Sequence, residues 1–146
     1  MKKYFLVFAF LASSMLGCST INQSGGFFIE SIMADCQYGK NGFWIEGYQK
    51  KLVFDARKNR ETLKLKDDRL NEVVLIDQGC DGKVDEIKLN NNSTYLRGDD
   101  RTKELFEMAD EVFLRVRNGL GVDSMKAHWK TLDPADIGGA NGLTNL

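Results

Sequence analysis

The spacing of apolar side chains changes once along this chain, near residue 100, and that change limits the folds it can adopt. Before it, apolar and β-branched residues alternate with polar ones or form short runs, as in Thr62–Lys66 and Glu72–Ile76. After it, apolar residues recur every three or four positions. A period of two is typical of strands, and a period near 3.6 is typical of an amphipathic helix. The sequence therefore predicts an α+β domain: a small antiparallel sheet of about four to five strands with one C-terminal amphipathic helix packed on it.

The predicted strands are separated by clusters of turn-forming residues. We expect strands at Phe27–Cys36, Phe43–Phe54, Thr62–Lys66, Glu72–Ile76 and Val84–Leu89, with a short edge at Thr94–Leu96. The first of these segments is also compatible with a helix. Turns are expected at Gly39–Gly42, Asp67–Asn71 and Asn90–Asn92.

The predicted helix has an apolar stripe at helical spacing, and core packing is its expected role. The stripe consists of Leu105, Phe106, Met108, Ala109, Val112, Phe113 and Val116. Asp99 or Asp100 can cap the start of this helix, and Gly119 is suited to its end. Beyond it, a short helix or turn is expected at Ser124–Lys130.

The size and charge of the chain favour one domain with a single core. It has 146 residues and a formal net charge of −1, which argues against general binding of nucleic acid. We predict that residues 27–130 form this domain. Residues 131–146 contain Pro134, paired glycines and few large apolar side chains, so we predict a flexible tail there.

The N-terminal residues have the composition of an export signal. Lys2 and Lys3 precede the apolar stretch Tyr4–Leu11, and the mostly small residues Ala12–Gly17 follow it. The apolar stretch is shorter than the roughly 20 residues that a membrane-spanning helix needs.

The tripeptide Leu16-Gly17-Cys18 resembles the end of a bacterial lipoprotein signal. The resemblance implies that residues 1–17 are a signal peptide, that Cys18 carries the lipid, and that residues 18–26 form a tether. In that family Ser19, in place of Asp, implies an outer-membrane location facing the periplasm. An ordinary signal peptide cleaved nearby is the alternative.

The lipoprotein resemblance also bears on the other two cysteines. The chain has three cysteines, and lipidation of Cys18 leaves Cys36 and Cys80 as a pair in a compartment that permits disulfides. We therefore predict a Cys36–Cys80 disulfide, which would stabilise the fold by roughly 4 kcal/mol on the chain-entropy model. Two buried free thiols are the alternative.

One acidic segment, residues 77–86, resembles the calcium loop of the EF-hand and of its shorter bacterial relatives. With Asp77 as the first ligand, Asp81 takes the fifth place and Asp85 the ninth. Lys83 stands at the place where a backbone carbonyl binds the ion. The resemblance implies one structural Ca²⁺, because a hard cation would neutralise carboxylates that otherwise repel one another.

This segment departs from the EF-hand pattern at two positions. Gly79 stands where the family usually has Asp or Asn, and Lys88 stands in place of the final bidentate Glu. Glu86 could supply that ligand from a different geometry. A plain β-hairpin is the alternative, because Asp81-Gly82 is a favoured dipeptide of tight hairpin turns.

Two further groups of side chains could contact a ligand. A basic cluster could meet anionic headgroups or an acidic envelope polymer, or could protect a sheet edge, and it consists of Lys50, Lys51, Arg57, Lys58, Arg60, Lys64 and Lys66. Trp44 and Tyr48, with Phe43 nearby, could form an aromatic platform for a glycan, or could belong to the core.

The sequence contains no recognisable catalytic constellation. His128 has no cluster of ligands or acids at useful spacing, and no GxSxG motif is present. We therefore predict a lipid-anchored cell-envelope protein that binds or scaffolds and is not an enzyme. Its expected partners are the membrane, through the lipid, and an envelope protein, with no nucleic acid and no cofactor besides Ca²⁺. The alternatives are an inhibitor or accessory factor of an envelope enzyme and, third, a small hydrolase.

Overall fold

The computed structural model describes residues 35–69, 71–90, 92–133 and 135 of the chain. The predicted signal peptide, Cys18, the tether, most of the segment Phe27–Cys36 and most of the tail lie outside these residues. Those assignments therefore stay predictions.

Seven strands come first in the described part of the chain, and helices follow them. The strands are β1 (Asp35–Gly39), β2 (Gly42–Gly47), β3 (Lys50–Asp55), β4 (Arg60–Lys66), β5 (Glu72–Gln78), β6 (Glu86–Leu89) and β7 (Ser93–Leu96). A short 3-10 helix at Asp100–Thr102 leads into α1 (Lys103–Gly119), and α2 (Val122–Thr131) comes after it.

All seven strands form one antiparallel sheet in which each strand pairs with its neighbours in the chain. In this meander Leu52 is opposite Leu63, which is opposite Leu75. Because side chains alternate along a strand, such a row lies on a single face of the sheet. We call the face with this row the first face and the opposite one the second face.

The hydrophobic core lies between the first face and the two helices. The side chains that α1 buries are Leu105, Phe106, Ala109, Val112, Phe113 and Val116. From α2, Val122 and Met125 join the same core. The apolar stripe therefore packs on the sheet, as its spacing predicts, except for Met108, which is half-buried and outside the core. Asp99 caps the 3-10 helix ahead of α1 by accepting the Arg101 N–H at 3.0 Å.

The α+β class, the antiparallel sheet and the packed C-terminal helix are confirmed, but the sheet has seven strands and a second helix is present. The predicted single strand Phe43–Phe54 is wrong, because this segment is the hairpin of β2 and β3. The chain reverses at Tyr48-Gln49, where Gln49 has a φ of 58°. Neither residue is a strong turn former, so the sequence of this β-forming segment does not indicate the chain reversal.

The other expected elements are found close to their predicted places. The turn Gly39–Gly42 joins β1 to β2, and Gly42 has a φ of 143°. A Cβ atom at Gly42 would lie 1.9 Å from the Phe54 carbonyl oxygen, so this close approach of two strands requires glycine. The segment Ser124–Lys130 lies within the helix α2. Within the described residues, no helix has the length and apolar character needed to cross a membrane.

Candidate functional site

The three aspartates of the acidic loop each accept hydrogen bonds from nearby backbone groups. Asp77, wholly buried near the end of β5, accepts from the N–H groups of Asp81 at 3.2 Å and Gly82 at 2.8 Å. Asp81 accepts from the Lys83 N–H at 2.9 Å, and Asp85 accepts from the Gln78 N–H at 2.7 Å. These bonds shape the β5–β6 connection, because each one satisfies a donor that the sheet ladder leaves unpaired.

Burial raises the pKa of the Asp77 carboxyl, although the N–H groups of Gly82 and Asp81 act in the opposite direction. Of the two remaining predicted ligands, the Glu86 carboxylate pairs with Lys88 at 3.2 Å. Lys83 is exposed, and its predicted ligand atom is the backbone carbonyl oxygen, on which side-chain exposure has no bearing. Among the described residues, no three His, Cys, Asp or Glu side chains are grouped to hold a metal ion. Calcium binding stays a prediction.

Both described cysteines are free in this structure. Cys36 lies exposed on β1, and Cys80 lies half-buried in the loop after β5. Three strands separate β1 from β5, which places the two strands about 19 Å apart at about 4.8 Å per step. A disulfide requires Cα atoms within about 7 Å. The predicted Cys36–Cys80 bond is therefore not formed in this arrangement of strands.

A cluster of charges around one buried carboxylate, absent from the sequence predictions, lies where the sheet meets the helices. Glu61 is wholly buried on the first face of β4, and it accepts from Arg117 Nε at 2.6 Å and Nη2 at 3.0 Å. Lys126 of α2 binds the same carboxylate. Arg117 also donates to Asp123 at 2.6 Å. We call these four residues the ion cluster.

Cys80 and Phe54 border the ion cluster on two sides. Burial raises the pKa of the Cys80 thiol, while the nearby Lys126 ammonium lowers it by a smaller amount. The same ammonium lies 4.4 Å from the centre of the Phe54 ring.

One sequence feature could have indicated the ion cluster. Side chains alternate between the two faces of a strand, so Glu61 faces the core together with Leu63 and Leu65. The ion cluster satisfies its own charges and therefore has a structural role.

A surface groove of about 560 Å³ lies between the β2–β3 turn and the β4–β5 turn. We call it the turn groove. Four of its lining residues are the lysines Lys50, Lys51, Lys64 and Lys66, all members of the predicted basic cluster. Arg57 and Lys58 lie instead in the β3–β4 turn, at the other end of β3, so the predicted cluster divides into two groups.

Carboxylates line the same groove, and two of them, Asp67 and Asp68, directly follow Lys66 in the sequence. The four carboxylates are Glu46, Asp67, Asp68 and Glu72. Glu46 lies 3.7 Å from the Lys51 ammonium, and Glu72 lies 3.9 Å from that of Lys66. The turn groove is therefore a site of mixed charge, and strand pairing brings Glu46 and Glu72 to the lysines.

Hydrogen bonds fix the rim of the turn groove. Gln49 Nε2 donates to Asp68 Oδ1, and the Tyr48 hydroxyl lies 3.5 Å from the same oxygen. The Lys66 N–H donates to the Gln49 carbonyl oxygen at 2.8 Å. These contacts join the β2–β3 turn to the β4–β5 turn, so the groove keeps its width.

The predicted aromatic platform is divided between the two faces of the sheet. Phe43 is buried in the core, whereas Trp44 lies on the second face with the Lys51 ammonium 4.6 Å from its ring centre. Tyr48 is 77% exposed beside the turn groove. His128 is exposed on α2, and its ring centre lies 5.2 Å from that of Tyr38.

A comparison of the chain with protein-family models, curated proteins and solved structures finds no significant match. Only the geometry of the acidic loop, the ion cluster and the turn groove therefore bears on the function.

Proposed function

We propose that this chain is a lipid-anchored binding protein of the cell envelope that holds its ligand in the turn groove. The anchor is inferred from the lipoprotein resemblance of Leu16-Gly17-Cys18. One observation supports the binding site: the groove is a concavity rich in charged side chains, on the part of the sheet that lies away from the helix-covered core.

The other charged groups of interest already have partners inside the protein. Glu61 binds Arg117 and Lys126, and Asp77 binds backbone N–H groups of its own loop. Interactions of this kind hold the fold together. The turn groove is therefore the site that we assign to an external ligand.

The composition of the turn groove suits noncovalent recognition of a polar polymer. Lysine ammonium groups donate hydrogen bonds, carboxylates accept them, and the exposed Tyr48 ring offers a flat apolar surface. Sugar hydroxyls and charged substituents of an envelope polymer match these three properties. The proposal therefore assigns the protein a binding role, in which the lipid anchor keeps the groove close to the polymer.

The test is sedimentation of the unlipidated protein, beginning at Ser19, with purified cell-wall polymer. We expect the protein to sediment with the polymer, and the double variant Lys64→Met/Tyr48→Ala to bind about tenfold more weakly, as expected for removal of a central contact. The matched control is Lys88→Met, a lysine that pairs with Glu86 and does not line the groove. Equal sedimentation of the double variant and the wild type would contradict the proposed site.

A further inference from the structure

Two lysines of the turn groove lie opposite each other on neighbouring strands. Lys51 of β3 is opposite Lys64 of β4, a position in which like charges repel. Lys51 is balanced by Glu46 at 3.7 Å. Lys64 has no ion-pair partner among the described residues. The Lys64 ammonium is therefore available to an anionic group of a ligand.

A carboxylate oxygen at the rim is available to a cationic group. Asp68 uses Oδ1 to accept from Gln49 and Tyr48, while its Oδ2 accepts no hydrogen bond within the described part of the chain. Asp67 differs, because its two oxygens accept from the backbone N–H groups of Arg69 and Asn71 and from the Asn71 amide. Asp68 is thus the acid of this rim that can bind an ammonium.

The chain positions of Lys64 and Asp68 set an upper limit on the backbone span of a matching ligand. Four residues separate them, so at about 3.3 Å per residue their Cα atoms lie at most about 13 Å apart. A peptide of no more than about four residues fits within this limit. We propose that the turn groove binds a short zwitterionic peptide, with its carboxylate at Lys64 and its amino group at Asp68.

This inference rests on the proposed function and names the ligand of the same groove. A protein anchored in the envelope by lipid lies within reach of the cell-wall glycan, whose short peptides are attached through their amino ends and carry a free carboxylate and a side-chain amine. We therefore assign the peptide to that source. The exposed Tyr48 ring at the rim is placed to contact the sugar to which such a peptide is attached.

Calorimetry with a synthetic tetrapeptide tests the two charge contacts one at a time. The tetrapeptide has a blocked amino end and a side-chain amine, and for the wild type we expect acetylation of that amine to weaken binding by about threefold or more, as for a partly exposed ion pair. In Asp68→Asn, which keeps the oxygen that accepts from Gln49, acetylation should have no further effect. Amidation of the carboxyl end should behave in the same way with Lys64→Met. Equal losses in wild type and variants would overturn the assigned contacts.

Sedimentation with two forms of cell-wall polymer separates this inference from the proposed function. We expect the protein to bind intact polymer and to lose at least about tenfold in affinity for polymer stripped of its peptides. Equal binding to both forms would overturn the peptide as ligand and leave the groove as a glycan site. Binding to neither form would overturn both proposals.

Discussion

Glu61 is the residue at which the sheet and both helices meet. It lies on β4, and its carboxylate binds Arg117 from α1 and Lys126 from α2. A buried charge is costly unless it is paired and hydrogen-bonded, so these three side chains depend on one another. The hydrogen bond to Asp123 raises the pKa of the Arg117 guanidinium further above its usual value, against the lowering effect of burial.

Removal of Glu61 alone should destabilise the protein more than removal of the whole buried set. We expect Glu61→Ala to lower the free energy of unfolding by about 3–5 kcal/mol, because the largely buried Lys126 loses its carboxylate and Arg117 keeps only the exposed Asp123. The triple variant Glu61→Leu/Arg117→Met/Lys126→Met should recover most of that loss. Urea denaturation measures both effects.

The control for this comparison is Glu111→Gln, which removes an exposed ion pair with Arg115 within α1. It should change the free energy of unfolding by no more than about 0.5 kcal/mol. A triple variant less stable than Glu61→Ala would show that the ion cluster contributes net stability.

Asp77 and Asp99 should give the protein opposite dependences on pH. Burial raises the pKa of Asp77 above 3.8, so the folded state holds this proton more tightly and loses stability as the pH rises through the folded pKa. The hydrogen bond from the Arg101 side chain lowers the pKa of Asp99, so its contribution is present above 3.8 and is lost in acid.

We therefore expect Asp77→Asn to become more stable relative to the wild type as the pH rises from 3 to about 7, and Asp99→Asn to become less stable over the same range. Unfolding in urea at several pH values measures the two differences. Changes of the same sign in both variants would contradict the burial of the Asp77 carboxyl.

The helix α2 joins the end of the described domain to its beginning. Trp129 donates from Nε1 to the Gly39 carbonyl oxygen on β1 at 2.8 Å, and its ring meets that of Phe54 edge-on at 5.7 Å. Lys126 ties the same helix to Glu61 on β4. The second helix therefore contacts both the edge strand β1 and the middle of the sheet.

The substitution Trp129→Phe should loosen this connection while leaving α1 in place. Loss of the hydrogen bond leaves the Gly39 carbonyl without that donor, and we expect a cost of about 1–2 kcal/mol. Hydrogen exchange should become faster in α2 and β1 and stay unchanged in α1. Lys130→Ala, an exposed neighbour on the same helix, serves as control. Equal acceleration in all three elements would indicate global destabilisation instead.

At the scale of the whole molecule, the acidic loop and the turn groove lie at opposite ends of β5. The loop follows the end of β5 at Gln78, whereas the groove includes Glu72 at its start. The loop is also fixed to α1, because the Val84 N–H donates to Asp110 at 2.7 Å. Ligand binding in the groove and the structure of the loop are therefore expected to be independent.

A calcium titration of the unlipidated protein tests the predicted ion site. Asp81 Oδ2 and Asp85 Oδ1 accept no hydrogen bond within the described residues, so each is available to an ion while the other oxygen keeps its backbone donor. If the loop holds one Ca²⁺, millimolar Ca²⁺ should raise the melting temperature and Asp81→Asn should abolish the rise, because an ion that binds only the folded state must stabilise it. An unchanged melting temperature would contradict the ion site.

Local patterns account for much of the fold and for part of the site. Alternation locates β4, helical spacing locates α1, and the lysines and Tyr48 of the turn groove stand out in the sequence as charged and aromatic residues. The hairpin turn at Tyr48-Gln49 is not visible in this way, because its backbone conformation is imposed by the pairing of β2 with β3. The strand count was therefore too low.

By itself, the sequence determined the α+β class and which apolar side chains face the core. Both follow from the spacing of apolar residues, which is two in strands and about 3.6 in helices. Only the tertiary structure decided which charges meet. Glu61 and Arg117 are 56 residues apart in the chain, and the same carboxylate binds Lys126 of the second helix. The energy of a charge depends on its neighbours and its burial, which are set by packing and not by sequence spacing.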